Sequence, residues 1–283
     1  MKRKKRGCLS RIAGLLVLAI ALGVFWWFEN ETIVTETITV NSAELPVSFD
    51  GFKIAVLADV HGEVFGENSS YLLKKTAATA PDIIVMNGDL IDEVSHLDML
   101  PPLLDGLVEI APVFFVTGNH EWAVGCVDEL FELLEAYGVT VLRNEYRTLT
   151  IGDGTMVLAG IDDPNGPFDQ KQPDELMDEI RTAQGDTFTL MLAHRNDSLD
   201  MWAELGTDLV LCGHGHGGVV RIPFVGGLIG VDRSFFPDYT AGLYEKGDTS
   251  MVVSRGLGNS VVDFRLFNRP QLLVVALETK PSP

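Results

Sequence analysis

The nine residues Lys53-Ile54-Ala55-Val56-Leu57-Ala58-Asp59-Val60-His61 join a short apolar run directly to an aspartate and a histidine. A run of this length reads as a strand buried on both faces, which puts the polar pair at its carboxyl end. The same figure recurs along the chain. Asp82–Met86 runs into Asn87-Gly88-Asp89, Pro112–Val116 into Gly118-Asn119-His120-Glu121, Phe188–Ala193 into His194, and Asp208–Cys212 into Gly213-His214-Gly215-His216. Helix-like stretches lie between these runs. Asp128–Tyr137 stops at Gly138, Pro173–Gln184 at Gly185 and Ser198–Leu205 at Gly206, where glycine suits the left-handed turn that closes a helix. Strands alternating with helices predict an α/β fold, and in such sheets ligands bind beyond the carboxyl ends of the strands.

Outward from this centre, β-branched alternation over Glu31–Val40 predicts one more strand, and Met251–Ser254 and Gln271–Leu277 read as closing strands. No Ser/Gly/Pro-rich linker divides residues 31–283, which therefore read as one catalytic domain. Residues 1–30 are different. Ile12–Phe28 is an uncharged, almost wholly apolar run bracketed by Arg11 and Glu29, with Trp26 and Trp27 at its far end. As a helix it is about 25 Å long, at the short end for a ~30 Å hydrocarbon core. The preceding Lys2, Arg3, Lys4, Lys5 and Arg6 argue against a buried core helix and predict a cytoplasmic amino terminus with the body on the other side. A signal peptide cut near Ala19-Ile20-Ala21 would leave Leu22–Phe28 on the mature end, so the expectation is an uncleaved, single-pass signal anchor in the cell membrane.

Charge and composition narrow the function. The 283-residue chain is 46% hydrophobic and 22% charged, which excludes a disordered chain. Its net charge is −19, yet six of its 21 basic residues precede residue 12, so the body carries 15 basic against 40 acidic residues, or −25. Such a body repels a phosphate backbone, and binding of long nucleic acid is not expected. Cys8, Cys126 and Cys212 form no C-x-x-C pair and indicate no disulfide framework.

Histidine is concentrated at the strand ends. Five of the six histidines stand there, and only His96 reads as an ordinary helix or loop residue. Asp59-x-His61 or Gly88-Asp89 alone is a weak signal, but two histidines among three glycines at residues 213–217 are poorly explained by core packing. Carboxylate, amide and imidazole donors without thiolate suit Mn²⁺, with Fe, Zn²⁺ or Mg²⁺ as the other fits, better than a structural zinc site.

In this order the motifs resemble those of the calcineurin-like metallophosphoesterase superfamily, over about residues 53–216, and most of all its bacterial membrane-anchored branch, with relatives of UDP-2,3-diacylglucosamine pyrophosphatase. The resemblance implies a four-layer α/β/β/α sandwich of two mixed sheets. It implies two divalent metal ions, one on Asp59, His61, Asp89 and His216, the second on Asp89, Asn119, His194 and His214, with Asp89 bridging. His120 would be the acid/base residue near the leaving oxygen. The implied reaction is hydrolysis of a phosphoester or pyrophosphate bond by water activated between the metals. Glu121 follows Asn-His where aspartate is also common, a variation with no consequence readable in sequence. A catalytically silent metal-binding interaction module would be expected to lack a ligand or His120, and none is missing. The expected substrate is a phosphorylated small molecule or lipid, nucleotide-linked or lipid-linked. Phe224, Phe235, Phe236 and Tyr239 read first as strand and loop packing over the second sheet, with an apolar lip beside the metals as the sharper alternative, and Arg195, Arg221, Arg233 and Arg255 read as phosphate contacts or equally as surface or ion-pair arginines. Sequence leaves the oligomeric state open.

Overall fold

A computed structural model describes residues 2–218, 220–231, 233–259 and 264–280. Helix α1 (Lys2–Glu31) leads into β1 (Val34–Ser42). The first sheet also contains β2 (Lys53–Leu57), β3 (Ile83–Asn87), β4 (Val113–Val116), the short β5 (Thr140–Val141) and the last strand, β14 (Gln271–Thr279). Its order is β1-β14-β2-β3-β4-β5. Strands β2 to β5 are parallel, β14 runs against β2, and β1 runs parallel to β14. The second sheet is built from β6 (Glu145–Ile151), β7 (Gly154–Gly160), β8 (Thr189–Leu192), β9 (Leu209–Cys212), β12 (Gly242–Lys246) and β13 (Thr249–Val253), in the order β12-β13-β9-β8-β7-β6. Here β7, β8, β9 and β13 are parallel, with an antiparallel strand at each edge. A separate hairpin pairs β10 (Val220–Ile222) with β11 (Gly226–Ile229).

Period-two alternation makes the layers. Ile54, Val56, Val85 and Phe114 point between the sheets and meet Met156, Leu158, Leu190, Leu192 and Leu211. Ala55, Leu57, Ile84, Met86 and Phe115 point outward, under α2 (Ser70–Thr79), α3 (Leu100–Val108) and α5 (Val127–Ala136). On the far side, Val157, Met191, Val210 and Met251 are covered by α6 (Pro173–Gln184) and α7 (Leu199–Glu204), whose Leu176, Ile180 and Trp202 are buried. The result is the α/β/β/α sandwich, with both sheets buried on both faces. The expected strand over Glu31–Val40 starts later, at Val34, because the apolar helix continues through Glu31.

All five metal-competent motifs follow parallel strands, so they gather along one edge of the stacked sheets. A short helix, α4 (Asn119–Val124), begins at that edge directly after β4.

Candidate metal centre

The backbone at this edge is bent to aim side chains inward. Asp59, His61, Asp89, His214 and His216 all adopt positive φ, between 48° and 62°. Non-glycine residues pay for this conformation, and several together mark a region held by its surroundings for a purpose. Two glycines permit the close approach. A Cβ at Gly118 would lie 2.2 Å from Asp89 Oδ1, and one at Gly88 would lie 2.4 Å from His194 Nδ1.

Asp59, His61, Asp89 and His216 offer one donor atom each within a single buried cluster, and Asp89, His194 and His214 form an adjoining one. Asp89 belongs to both. His61 Nε2 lies 3.1 Å from His216 Nε2, and His216 Nε2 lies 3.5 Å from Asp59 Oδ1. His194 Nε2 is 3.1 Å from Asp89 Oδ2 and 3.9 Å from Asp59 Oδ1. Asn119, the first residue of α4, has a buried amide oxygen, Oδ1, with no hydrogen-bond partner.

These residues fit cations. Asp59 Oδ2, Asn119 Oδ1 and His194 Nε2 are buried without a hydrogen-bond partner, a costly state unless an ion completes it. His194 Nδ1 donates to Asn87 O at 2.9 Å, which fixes the lone pair on Nε2, the atom facing Asp89. The metal-free electrostatics show the same need for positive charge. Burial pushes the Asp59 carboxyl up, with Asp89 adding to it. Asp89 is held well below the usual carboxylate range despite burial, because His194 and His61 face it. Burial opposes charge on His194, but Asp89 and Asp59 prevail and raise it to about 10. A proton there takes the place that a cation would fill. Burial instead keeps His216 and His214 neutral, the latter lowered to about 4, as ligating imidazoles must be.

Residues 52–218 match the model of the calcineurin-like phosphoesterase family. The chain belongs to this family. It is 30% identical over 94% of its length to the uncharacterized metallophosphoesterase YkuE of Bacillus subtilis, covering 93% of that protein. It is 31% identical to the phosphodiesterase YaeI of Escherichia coli, covering 80% of this chain and 82% of that one. A zebrafish transmembrane protein with a metallophosphoesterase domain is 28% identical over 96% of this chain and 69% of its own. The chain is thus a metallophosphoesterase, a hydrolase of phosphoester bonds, and the diacylglucosamine relation rests on motif resemblance alone.

Three further residues shape this phosphoesterase's centre without standing out in sequence. Asp92 Oδ1 lies 2.5 Å from His61 Nδ1 and 2.7 Å from His120 Nδ1, so one carboxylate orients both rings. Its hydrogen bond is the main reason that His120 is raised above the usual histidine range, against burial. Glu121 is fully buried and accepts from Gly118 N at 2.6 Å, Asp89 N at 3.0 Å and Leu90 N at 2.6 Å. It thereby ties the Asp89 loop to the start of α4, so the residue that sequence left without consequence holds in place the aspartate shared by the two clusters. Arg265 is buried and donates to Arg255 O, Asn268 O, Gly258 O and Asn259 Oδ1. Burial lowers it to about 10, and its positive charge faces Asp59.

The other sequence candidates separate. Arg195 is held by Asp163, Nε to Oδ2 at 2.6 Å, and its Nη1 donates to His214 Nε2 at 3.0 Å, so it reaches the centre. Arg255 does not, because both its terminal nitrogens pair with Glu36, at 3.0 and 3.1 Å. Arg221 donates to Gly217 O, and Arg233 is exposed. His96 lies in a short 3-10 turn as an ordinary residue would, yet its Nδ1 accepts from Asp92 N at 3.1 Å and its ring fills the space beside Gly62.

Proposed function

We propose that Asp59, His61, Asp89 and His216 hold one divalent cation, that Asp89, Asn119, His194 and His214 hold a second, and that the pair serves hydrolysis of a phosphoester or pyrophosphate bond. The observation that carries this reading is the gathering on one edge of buried Asp59 Oδ2 and Asn119 Oδ1, which have no hydrogen-bond partner, and of His194 Nε2, which faces Asp89 Oδ2 at 3.1 Å. Bound divalent ions would supply Lewis acidity, acidifying water and offsetting charge on the phosphoryl oxygens. Mn²⁺ suits the mixed donors, ahead of Fe, Zn²⁺ and Mg²⁺.

His120 has the proton role. Asp92 grips its Nδ1 and leaves Nε2 free, 3.9 Å from Asp89 Oδ2 on the open side of the cluster. The same contact favours the protonated ring near neutral pH, the form needed to protonate a departing oxygen. Arg195, steered by Asp163, is placed to meet an anionic oxygen of the substrate. The similarity to the phosphodiesterase YaeI makes a phosphodiester the first substrate to test.

One helix among the described residues, Arg11–Glu31, is long and apolar enough to cross a membrane. We read it as an anchor with the basic amino terminus cytoplasmic, the catalytic domain outside, and the phosphorylated substrate lipid-linked or nucleotide-linked. A topology reporter after residue 283 tests the sidedness. A faster rate on vesicle-borne than on soluble phosphoester tests the lipid assignment, and equal rates would remove it.

The central experiment uses the full chain in detergent with Mn²⁺ and a bis-aryl phosphate. Asp89→Asn is expected to cut kcat/KM by roughly a thousandfold and to lower bound metal below two ions per chain. His120→Ala is expected to keep the metal and lose roughly a hundredfold or more in kcat, most with poor leaving groups. Equal activity of Asp89→Asn and the natural protein would overturn the site.

A further inference from the structure

The helix and the metal centre leave the domain from the same edge. Strand β14 runs against β2 and β1 runs parallel to β14, so Val34 starts beside the edge where Asp59 and His61 end. Val34 N donates to Pro270 O at 2.8 Å, which closes the junction. The helix end is clasped there by residues 264–270. Arg265 N donates to Asn30 Oδ1 at 2.6 Å, and Asn30 Nδ2 returns a bond to Arg265 O at 3.3 Å. The Arg269 guanidinium stands 4.2 Å over the Phe28 ring, and Phe25 meets Phe267 edge-on at 6.1 Å. The same segment supports the metal loop, since Asn268 Nδ2 donates to His216 O at 2.7 Å.

Large apolar side chains are exposed on the segments that leave this edge. Phe264, Leu266 and Phe267 are exposed on the clasp. Phe224 and Val225 are exposed at the turn of the β10–β11 hairpin, and Phe235 and Phe236, at 73% and 62% exposure, lie just beyond it. The base of that hairpin is tied to the clasp, because Asn268 Nδ2 also reaches Gly218 O at 3.4 Å. Soluble surfaces seldom show so many large apolar groups together, and aromatic rings favour the membrane–water boundary.

We infer that the hairpin turn, residues 235–236 and residues 264–267 form a second contact with the bilayer, which sets the metal edge against the lipid headgroups. The occupant is the bilayer because the exposed clasp residues meet the apolar helix directly, through the Phe25–Phe267 contact. A lipid phosphoester would then reach the centre without leaving the headgroup layer. The inference rests on reading α1 as an anchor, and its test separates the two.

The full chain carrying Cys8→Ser retains only the buried Cys126 and Cys212, so added cysteines can be labelled singly. Phe224→Cys, Phe236→Cys, Trp26→Cys and Val47→Cys, each with an environment-sensitive dye, are placed in phosphatidylcholine–phosphatidylglycerol vesicles with nitroxide at the headgroup or shallow acyl positions. Val47 is exposed and follows β1 at the opposite edge, about 30 Å from the helix end. Labels at 26, 224 and 236 are expected to be quenched at least about twofold and the label at 47 to be unaffected, as interfacial depth requires. Quenching at 26 without quenching at 224 and 236 keeps the anchor and overturns the second contact. No quenching at 26 overturns the anchor itself. Self-quenching at 224 that rises with protein-to-lipid ratio, with no effect of nitroxide, makes a second copy of the chain the occupant and overturns the proposal.

Discussion

Aspartates close both edges of the sheets, but they do different work. At the amino ends of the parallel strands, Asp82 accepts from Lys53 N at 2.7 Å, Asp208 from Thr189 N at 2.7 Å, and Asp50 from Thr279 N at 2.8 Å. At the carboxyl ends, Asp59 accepts from His214 N and Asp89 from His120 N, each at 2.9 Å. One oxygen therefore ties backbone in every case. The second oxygen differs. Asp50 and Asp82 are exposed, so water satisfies them, whereas Asp59 and Asp89 are buried and turn Oδ2 inward, Asp59's without a partner and Asp89's 3.1 Å from His194. Backbone stitching leaves one oxygen of each buried carboxylate free of backbone bonds, and that oxygen is what a cation can use.

Exchanging carboxylate for amide at each edge should expose the difference most sharply. Asp59→Asn keeps the bond from His214 N but removes a buried charge whose ionisation burial opposes. Its activity should fall by roughly a thousandfold while its Tm in EDTA rises at pH 8, because burial opposes the charge of the natural carboxyl and the amide has none. Asp82→Asn should leave kcat/KM within about twofold, as surface changes remote from a site do. A lower Tm for metal-free Asp59→Asn would show that the inward oxygen serves stability and not a cation.

Among the described residues, Glu121 has no counterpart at the amino edge. Glu121→Gln keeps one acceptor oxygen for amides that now share two, so metal affinity should drop roughly 10–100-fold by isothermal titration, with Glu121→Ala lower still. Unchanged affinity in both variants would mean that the Asp89 loop holds its shape unaided. Asp92→Asn should cost roughly 10–100-fold in kcat/KM. Because the Asp92 bond is what raises His120, its loss should also move the alkaline limb of the pH profile to lower pH, the limb on which a protonated acid is titrated away. An unmoved limb would separate His120 from the proton transfer.

The contrast also explains what the sequence made readable. Strands such as Lys53–Leu57 and Ile83–Asn87 were legible because burial on both faces leaves an unbroken apolar run. Pro173–Gln184 was legible from its proline start and glycine stop, and the observed helix has those bounds. The Glu145–Gly160 hairpin was not, because β6 is an edge strand whose mostly exposed residues show no apolar run. The metal-competent residues stand next to their strands, so local pattern finds them. Asp92, Glu121 and Arg265 act across 28 to 32 residues or through backbone carbonyls, and no spacing announces such contacts. Glu121 had a faint signal, the third position after a helix-opening Gly118, where glutamate reaches back to free amides.

The smallest effect tests the amino edge alone. Asp208 is the one stitching aspartate there that is partly buried, and burial, with Glu44 and Asp248 nearby, raises its carboxyl to about 6 from 3.8. Between those values the folded chain binds more proton than the unfolded one, so the stability Asp208 contributes is full below about pH 4 and is lost as pH rises through about 6. Asp208→Asn keeps an oxygen for Thr189 N and has no charge to bury. The natural protein should therefore lose on the order of 2 kcal/mol relative to this variant between pH 4 and 7, measured by urea unfolding at each pH in EDTA. Activity at pH 7 should not change, since Asp208 faces away from the metal edge. If the two stability profiles run parallel, Asp208 is as well hydrated as Asp82, and the amino edge buries no charge at all.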